Sequence, residues 1–235
     1  MSPTYTPGKL VLKKDSVAAT DTNINEVSLL LHGDGTNGST TITDSSLTPK
    51  TVTAVGNAQI STAQSKFGGA SIALDGTGDA LRCPTNAAFG WGTGNFTVEF
   101  WLYYQGGIGY VFFWIQANPT PTIPYLGYGL NNGTKQPWLW NNTNVLTTST
   151  NITNNTWQHH AVVRSGGTVS IYLDGISIGS TAFAADLAAS KPLSIGDNGT
   201  FGQSTNGYID EFRITKGIAR YTANFTPLTA PFPNY

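Results

Sequence analysis

Charge is scarce in this chain: Asp, Glu, Lys and Arg make up 11% of its 235 residues, against roughly 25% in an ordinary soluble domain. The 12 basic and 13 acidic residues nearly cancel, to a net charge of −1. No basic field is therefore available to grip nucleic acid or an anionic membrane. A single cysteine, Cys83, excludes an intrachain disulfide framework and any Cys-based zinc site. No stretch approaches the ~20 apolar residues of a membrane span. The first residues, Met-Ser-Pro-Thr-Tyr-Thr-Pro-Gly-Lys, lack the apolar run of a secretory leader, so none is expected.

Small polar residues fill the space that charge leaves. There are 33 Thr, 17 Ser and 19 Asn, with 27 Gly and 12 Pro. Thr favours strands, while Asn, Ser, Gly and Pro favour turns, each through its own backbone preference. The chain is therefore mostly β, and a helical bundle is excluded.

Residues 1–26 carry six charged residues, Lys9, Lys13, Lys14, Asp15, Asp21 and Glu26, with little periodicity beyond a short strand over 9–13. They read as an N-terminal arm, and residues 27–235 as one domain. Beyond the arm, short apolar runs alternate with turn clusters. Strands are expected over 27–31, 96–104, 110–115, 157–164, 168–173, 176–179, 192–195 and 208–214. Residues 70–74 and 80–83 flank Asp75-Gly76-Thr77-Gly78-Asp79 and read as a hairpin, as do the two strands around Asp174-Gly175. Residues 215–221 are the only stretch suited to a helical turn. A dozen or so strands with frequent turns predict an all-β, two-sheet sandwich or barrel.

Five segments occur in a fixed order: Leu74-Asp75-Gly76-Thr77-Gly78-Asp79-Ala80-Leu81, Phe96-Thr97-Val98-Glu99-Phe100-Trp101, Trp157-Gln158-His159-His160-Ala161-Val162-Val163-Arg164, Ile171-Tyr172-Leu173-Asp174-Gly175, and Gly207-Tyr208-Ile209-Asp210-Glu211-Phe212-Arg213-Ile214. Together they resemble the concanavalin A-like, laminin G-type domains across about residues 27–230. The resemblance implies an antiparallel jelly-roll sandwich of two curved sheets. The stretch 214–232, with Ala219-Arg220-Tyr221-Thr222 and Phe225-Thr226-Pro227, is similar to the version found in phage and marine viral proteins. Such domains bind sugars, bind proteins or coat a surface, so the fold leaves function open.

Gly33-Asp34-Gly35-Thr36-Asn37-Gly38 matches a dinucleotide-binding fingerprint, but that site needs a helix directly after it. The next residues are Ser39-Thr40-Thr41-Ile42-Thr43, rich in β-branched types, so the segment reads as a loop. Glycoside hydrolysis of the retaining kind needs two carboxyls ~5 Å apart. The only glutamates, Glu26, Glu99 and Glu211, have no acidic neighbour on their own strand face, and the chain reads as a non-enzyme. His159 and His160 are adjacent and point to opposite faces of a strand, one to the core boundary and one to the surface. They cannot chelate one ion together.

Asp210 is expected on the apolar face of its strand with Phe212 and Ile214, opposite Glu211 and Arg213. Such a carboxylate needs compensation. Backbone amides could supply it, or a structural Ca²⁺ of the kind related jelly rolls hold, with Asp34 and Asp79 as further ligands.

Between Phe100 and Val163 the only charged residue is Lys135, yet five tryptophans lie there. Trp101 and Trp114 fall in strands and read as core. Trp138 and Trp140 share one strand face beside Asn141 and Asn142, which fits a glycan platform; core packing or a subunit interface fits equally.

The whole points to a non-enzymatic virion protein of a bacteriophage: a tail, fibre or head-decoration component. Its arm would attach it, through Leu10, Val11 and Leu12, to other virion proteins or to copies of itself. The jelly roll would bind host-surface glycans or stabilise the particle. A secreted bacterial carbohydrate-binding module or adhesin is the rival reading.

Overall fold

The computed structural model describes residues 21–107, 111–115, 125–131, 134–187, 190–198 and 203–234. Among them are β1 (Val27–Leu31), β2 (Thr53–Val55), β3 (Gln59–Ser61), β4 (Ser71–Asp75) and β5 (Ala80–Asn86). Next come β6 (Phe96–Tyr104), β7 (Val111–Ile115), β8 (Leu126–Leu130), β9 (Pro137–Asn141) and β10 (Thr143–Thr147). The last five are β11 (Trp157–Ser165), β12 (Thr168–Leu173), β13 (Ile176–Ala182), β14 (Lys191–Ile195) and β15 (Asn206–Lys216). Helix among the described residues is confined to two three-residue 3₁₀ turns, Ile24–Glu26 and Ala87–Phe89.

The strands form two antiparallel sheets. One runs β13-β12-β11-β6-β15-β4-β3, with β1 also paired to β15; the other runs β10-β9-β8-β7-β14-β5-β2. Their inner faces meet in one core, the two-sheet jelly-roll sandwich that strand count and resemblance imply. Phe96, Val98, Phe100, Leu102, Ile171, Leu173, Phe212 and Ile214 all lie in it. Phe100 sits at its centre, stacked on Phe212 at 5.4 Å and on His160 at 5.3 Å between ring centroids. Burying one such side chain contributes ~1.5–3 kcal/mol.

Three local expectations are corrected. β4 and β5 are not a hairpin: they belong to different sheets. The Gly-rich turn between them carries the chain across the sandwich, so Leu74 and Leu81 meet the core from opposite sides. The buried Asp79 stabilises this corner by accepting from the amides of Asn57 and Asp75. Residues 215–221 form no helix; Thr215 and Lys216 extend β15, and the chain then turns onto the outer face of its own sheet.

The third correction concerns β15. Glu211 takes a left-handed φ of 53°, and a bulge interrupts the pairing with β6 between Asp210 and Arg213. The bulge lies where β15 exchanges neighbours, from β4 along residues 206–209 to β1 along residues 212–215. It breaks the alternation. Ile209 and Phe212 both face the core, and Asp210 pairs with Trp101 on the outer face.

Candidate functional site

β9 alternates strictly. Leu139 is fully buried in the core, while Trp138 and Trp140 lie half-buried on the other side. Their rings sit 5.2 Å apart, inclined by 32°. The facing positions on β8 are Gly129 and Gly127. Gly127 gives its space to Trp114 of β7: a Cβ there would lie 2.1 Å from that indole ring. Trp114 packs against Tyr125 at 5.0 Å, and the Tyr125 hydroxyl accepts from Trp140 Nε1 at 2.6 Å. A ledge of four aromatic side chains results, its two inner members buried and its two outer members half-open.

Polar groups border it. Asn141 Oδ1 accepts from the Tyr125 amide at 3.2 Å, which fixes the ledge's end. Asn142 occupies the exposed turn, with φ 59°. On β10, Asn144 lies opposite Trp140 and Thr147 opposite Trp138; Asn144 Nδ2 donates to Thr147 Oγ1 at 2.9 Å. Trp138, Trp140, Asn141 and Asn142 are thus brought together as the sequence suggests. Trp114 is buried, but on this outer face and not in the inter-sheet core. Nothing in the sequence singles out Tyr125, Asn144 or Thr147. The available signal is Gly127-x-Gly129 in one strand and Trp138-x-Trp140 in another, empty positions opposite large ones.

The carboxylates expected around a cation are arranged otherwise. Asp210 is fully buried, and its Oδ2 accepts from the amides of Lys66 and Phe67 at 2.8 and 3.1 Å. Burial, with repulsion from Glu211 and Asp34, pushes its carboxyl up to about 7 against those amides. Asp34 lies exposed beside Gly68 in the same corner, whereas Asp79 belongs to the β4–β5 turn. Among the described residues no three His, Cys, Asp or Glu side chains form a metal-holding group. Asp34, Asp79 and Asp210 therefore do not fit one Ca²⁺ site.

Over part of β6, β11 and β12 the outer face of the β6-containing sheet is covered by the chain's own C-terminal stretch. Tyr221 and Phe225 stack on each other at 3.5 Å and pack over Ala161, Val163 and Tyr172. Beneath them Glu99 Oε1 accepts from Arg213 Nε and Nη2 at 3.0 and 2.7 Å, and Glu99 Oε2 accepts from the Tyr221 hydroxyl at 2.7 Å. Burial alone would raise this carboxyl; Arg213, then His159 and Arg220, outweigh it and hold it well below the usual carboxylate range. Asp21 accepts from Arg213 and from both terminal nitrogens of Arg220. This cover explains why His159, which faces outward, is buried. It also corrects the expectation of a surface histidine. His160 faces the core, bonded to the Tyr128 hydroxyl at 2.8 Å, and burial pushes its imidazole down to about 3. Trp101 likewise lies under an outer cover, with Lys66 Nζ 3.8 Å from its ring centre. Leu10, Val11, Leu12 and the strand expected over 9–13 lie outside the described residues.

Comparison with known proteins bears on the fold. Residues 75–219 match the family described as the concanavalin A-like lectin/glucanases superfamily. No curated protein sequence matches the chain. Among solved structures, the binding domain of Paraclostridial Mosquitocidal Protein 1 superposes with a TM-score of 0.64 at 16% identity, over 83% of this chain and 50% of that one. Domain 4 of the extracellular arabinanase AbnA from Geobacillus stearothermophilus, solved with arabinotriose, gives 0.62 at 19% identity, over 83% and 94%. The binding domain of botulinum neurotoxin DC, solved with SialylT, gives 0.56 at 16% identity, over 83% and 49%. The chain thus spans about half the length of the toxin binding domains and nearly all of the arabinanase domain. At these identities the likeness is one of fold. With the profile match covering most of the sandwich, the chain belongs to the concanavalin A-like lectin/glucanases superfamily.

Proposed function

We propose that this chain is a non-enzymatic carbohydrate-binding jelly roll, displayed on a bacteriophage virion and gripping a neutral host-surface glycan on the Trp138–Trp140 ledge. The observation that carries the reading is the pair of half-exposed indoles, held rigidly by Trp114 and Tyr125 and bordered by amides and a hydroxyl. Indole faces offer large apolar area at little entropy cost, and the Asn and Thr side chains can both donate and accept hydrogen bonds to sugar hydroxyls. The scarcity of charge around the ledge suits an uncharged ligand. One structural neighbour was solved with arabinotriose and another with SialylT, which supports a saccharide ligand. The carboxylates that might suggest hydrolysis are engaged: Glu99 by Arg213 and Tyr221, and Glu211 by His32 and the Phe232 amide.

The test is a glycan array probed with the wild type and with Trp138→Ala/Trp140→Ala. The wild type is expected to bind a neutral glycan and the variant to lose at least about tenfold (about 1.4 kcal/mol) with its melting transition retained. Equal binding by both proteins would remove the ledge from the function. The virion placement rests on the sequence resemblance and on the arm. Its check is deletion of residues 2–20, with Asp21 kept: the sandwich should fold and no longer enter particles.

A further inference from the structure

The outer face of the other sheet carries a feature that neither the ledge nor the C-terminal cover uses. Gln59 pairs with Ala73, Ala73 with Tyr208, Tyr208 with Tyr103, and Tyr103 with Trp157. The five side chains form one row across β3, β4, β15, β6 and β11. At the usual strand spacing the row is roughly 19 Å long. Every member is half-buried. Ile72, Ile209 and Leu102, their chain neighbours, face the core, so the row points outward. Trp157 and Tyr103 lie 5.6 Å apart, and Tyr103 and Tyr208 6.0 Å.

At its other end, over Gln59, Ala73 and Tyr208, the row opens into a cleft of about 410 Å³ lined also by Asn57, Asp75, Gln105 and Asn206, among others. Four of these are amides, able both to donate and to accept. The cleft is built by the backbone: the Gln105 amide donates to the Asn206 carbonyl at 2.9 Å. Gly76, at φ 84°, lets the β4–β5 turn approach Asn206 so closely that a Cβ would lie 2.9 Å from that side chain. Asp75 is the exposed charge of the lining. The Asn57 side-chain amide, 3.0 Å away, lowers its carboxyl below the usual value and keeps it anionic.

We propose that this row and cleft form a second saccharide-binding groove, distinct from the ledge and on the opposite face of the sandwich, for a neutral oligosaccharide. Aromatic rings in line across three strands suit successive sugar rings, and the amide cluster suits the hydroxyls of a terminal one. The Asp75 carboxylate disfavours uronic and sialic acids. The inference stands whether or not the ledge binds sugar.

The experiment is affinity electrophoresis of the full chain in gels containing arabinan, galactomannan or xyloglucan, with polygalacturonate as the anionic control. Using Trp138→Ala/Trp140→Ala as background isolates the groove. That protein is expected to be retarded in at least one neutral gel and to run freely in polygalacturonate. Adding Tyr208→Ala should weaken retardation at least tenfold. Gln59→Arg, at a half-buried position of the short strand β3, should do the same by filling the cleft, with its melting transition retained as the check on folding. Three results would overturn the groove: no retardation of the background variant in any neutral gel, retardation unchanged by both added substitutions, or a self-association seen by sedimentation and lost with Tyr208→Ala, which would make the row a contact between copies. Loss of all binding on Tyr208→Ala alone, in the otherwise native chain, would instead keep the groove and remove the ledge.

Discussion

Glu99 and Arg213 form an ion pair with almost no access to water, two nitrogens of one guanidinium donating to a single carboxylate oxygen at 3.0 and 2.7 Å. Breaking a buried pair by removing one charge costs about 3–5 kcal/mol, because the partner stays buried and uncompensated. Glu99→Gln should fall in that range in urea denaturation. Tyr221→Phe, which removes one donor to the same carboxylate, should cost about 1–3 kcal/mol. If both variants match the wild type, the C-terminal cover is not held by this network.

The Asp210 carboxyl sets a stability slope in one direction. Its pKa is raised in the folded state to about 7, against an ordinary value of about 3.9 in the unfolded chain. Its contribution is therefore complete below about pH 4 and is lost as pH rises through 7. Asp210→Asn, which mimics the protonated side chain, should equal the wild type near pH 4 and exceed it in stability at pH 8. Urea midpoints at the two pH values decide the matter.

His160 acts with the opposite sign. Its folded pKa is pushed down to about 3 by burial, with His159 adding to the effect. Stability from the neutral ring is full above about pH 6.5 and falls below it by up to about 1.4 kcal/mol per pH unit. In an NMR titration of the folded protein, the His160 ring signals should not move between pH 5 and 8. A midpoint inside that range would mean that the ring is not enclosed as described.

Gly127→Ala places a methyl group where Trp114 lies. The indole must shift, at a cost of about 1–3 kcal/mol for overpacking, and Tyr125 and Trp140 must move with it. Near-UV circular dichroism should change, and ledge binding should weaken although the substitution removes none of the ledge side chains.

Some of this was legible in the residues and some was not, for physical reasons. Residues 96–104 alternate so regularly that β6 has the same bounds in sequence and structure. The Trp138–Trp140 face is readable because period-two alternation is all it requires. Position 211 is different: a glutamate with left-handed φ carries no signal, so the bulge that turns Asp210 outward cannot be anticipated. The turn at 75–79 has hairpin chemistry, yet turn residues fix a reversal and not which sheet the next strand joins. The outer faces are the least legible. Thr97, Glu99 and His159 look like solvent positions by alternation, but the chain's last residues fold back over them, a contact between segments far apart that no local pattern encodes. The groove at Tyr208 is invisible in the sequence for the same reason: its row draws one residue from each of five strands.

The pairing of β1 with β15 also sets the order in which the protein can be made. His32, just past β1, is bonded to Glu211, 179 positions later, and β6 needs β15 as one of its two neighbours. Non-local pairings of this kind slow folding, since a long loop must close before any contact rewards it. During synthesis the sheet stays unfinished until β15 has left the ribosome. Until then β6 exposes an unpaired edge carrying Phe96, Val98 and Phe100, the kind of surface that aggregates. Production of this domain should therefore improve at low temperature or with a chaperone that shields strand edges, and chains cut short before Asn206 should be found in the insoluble fraction.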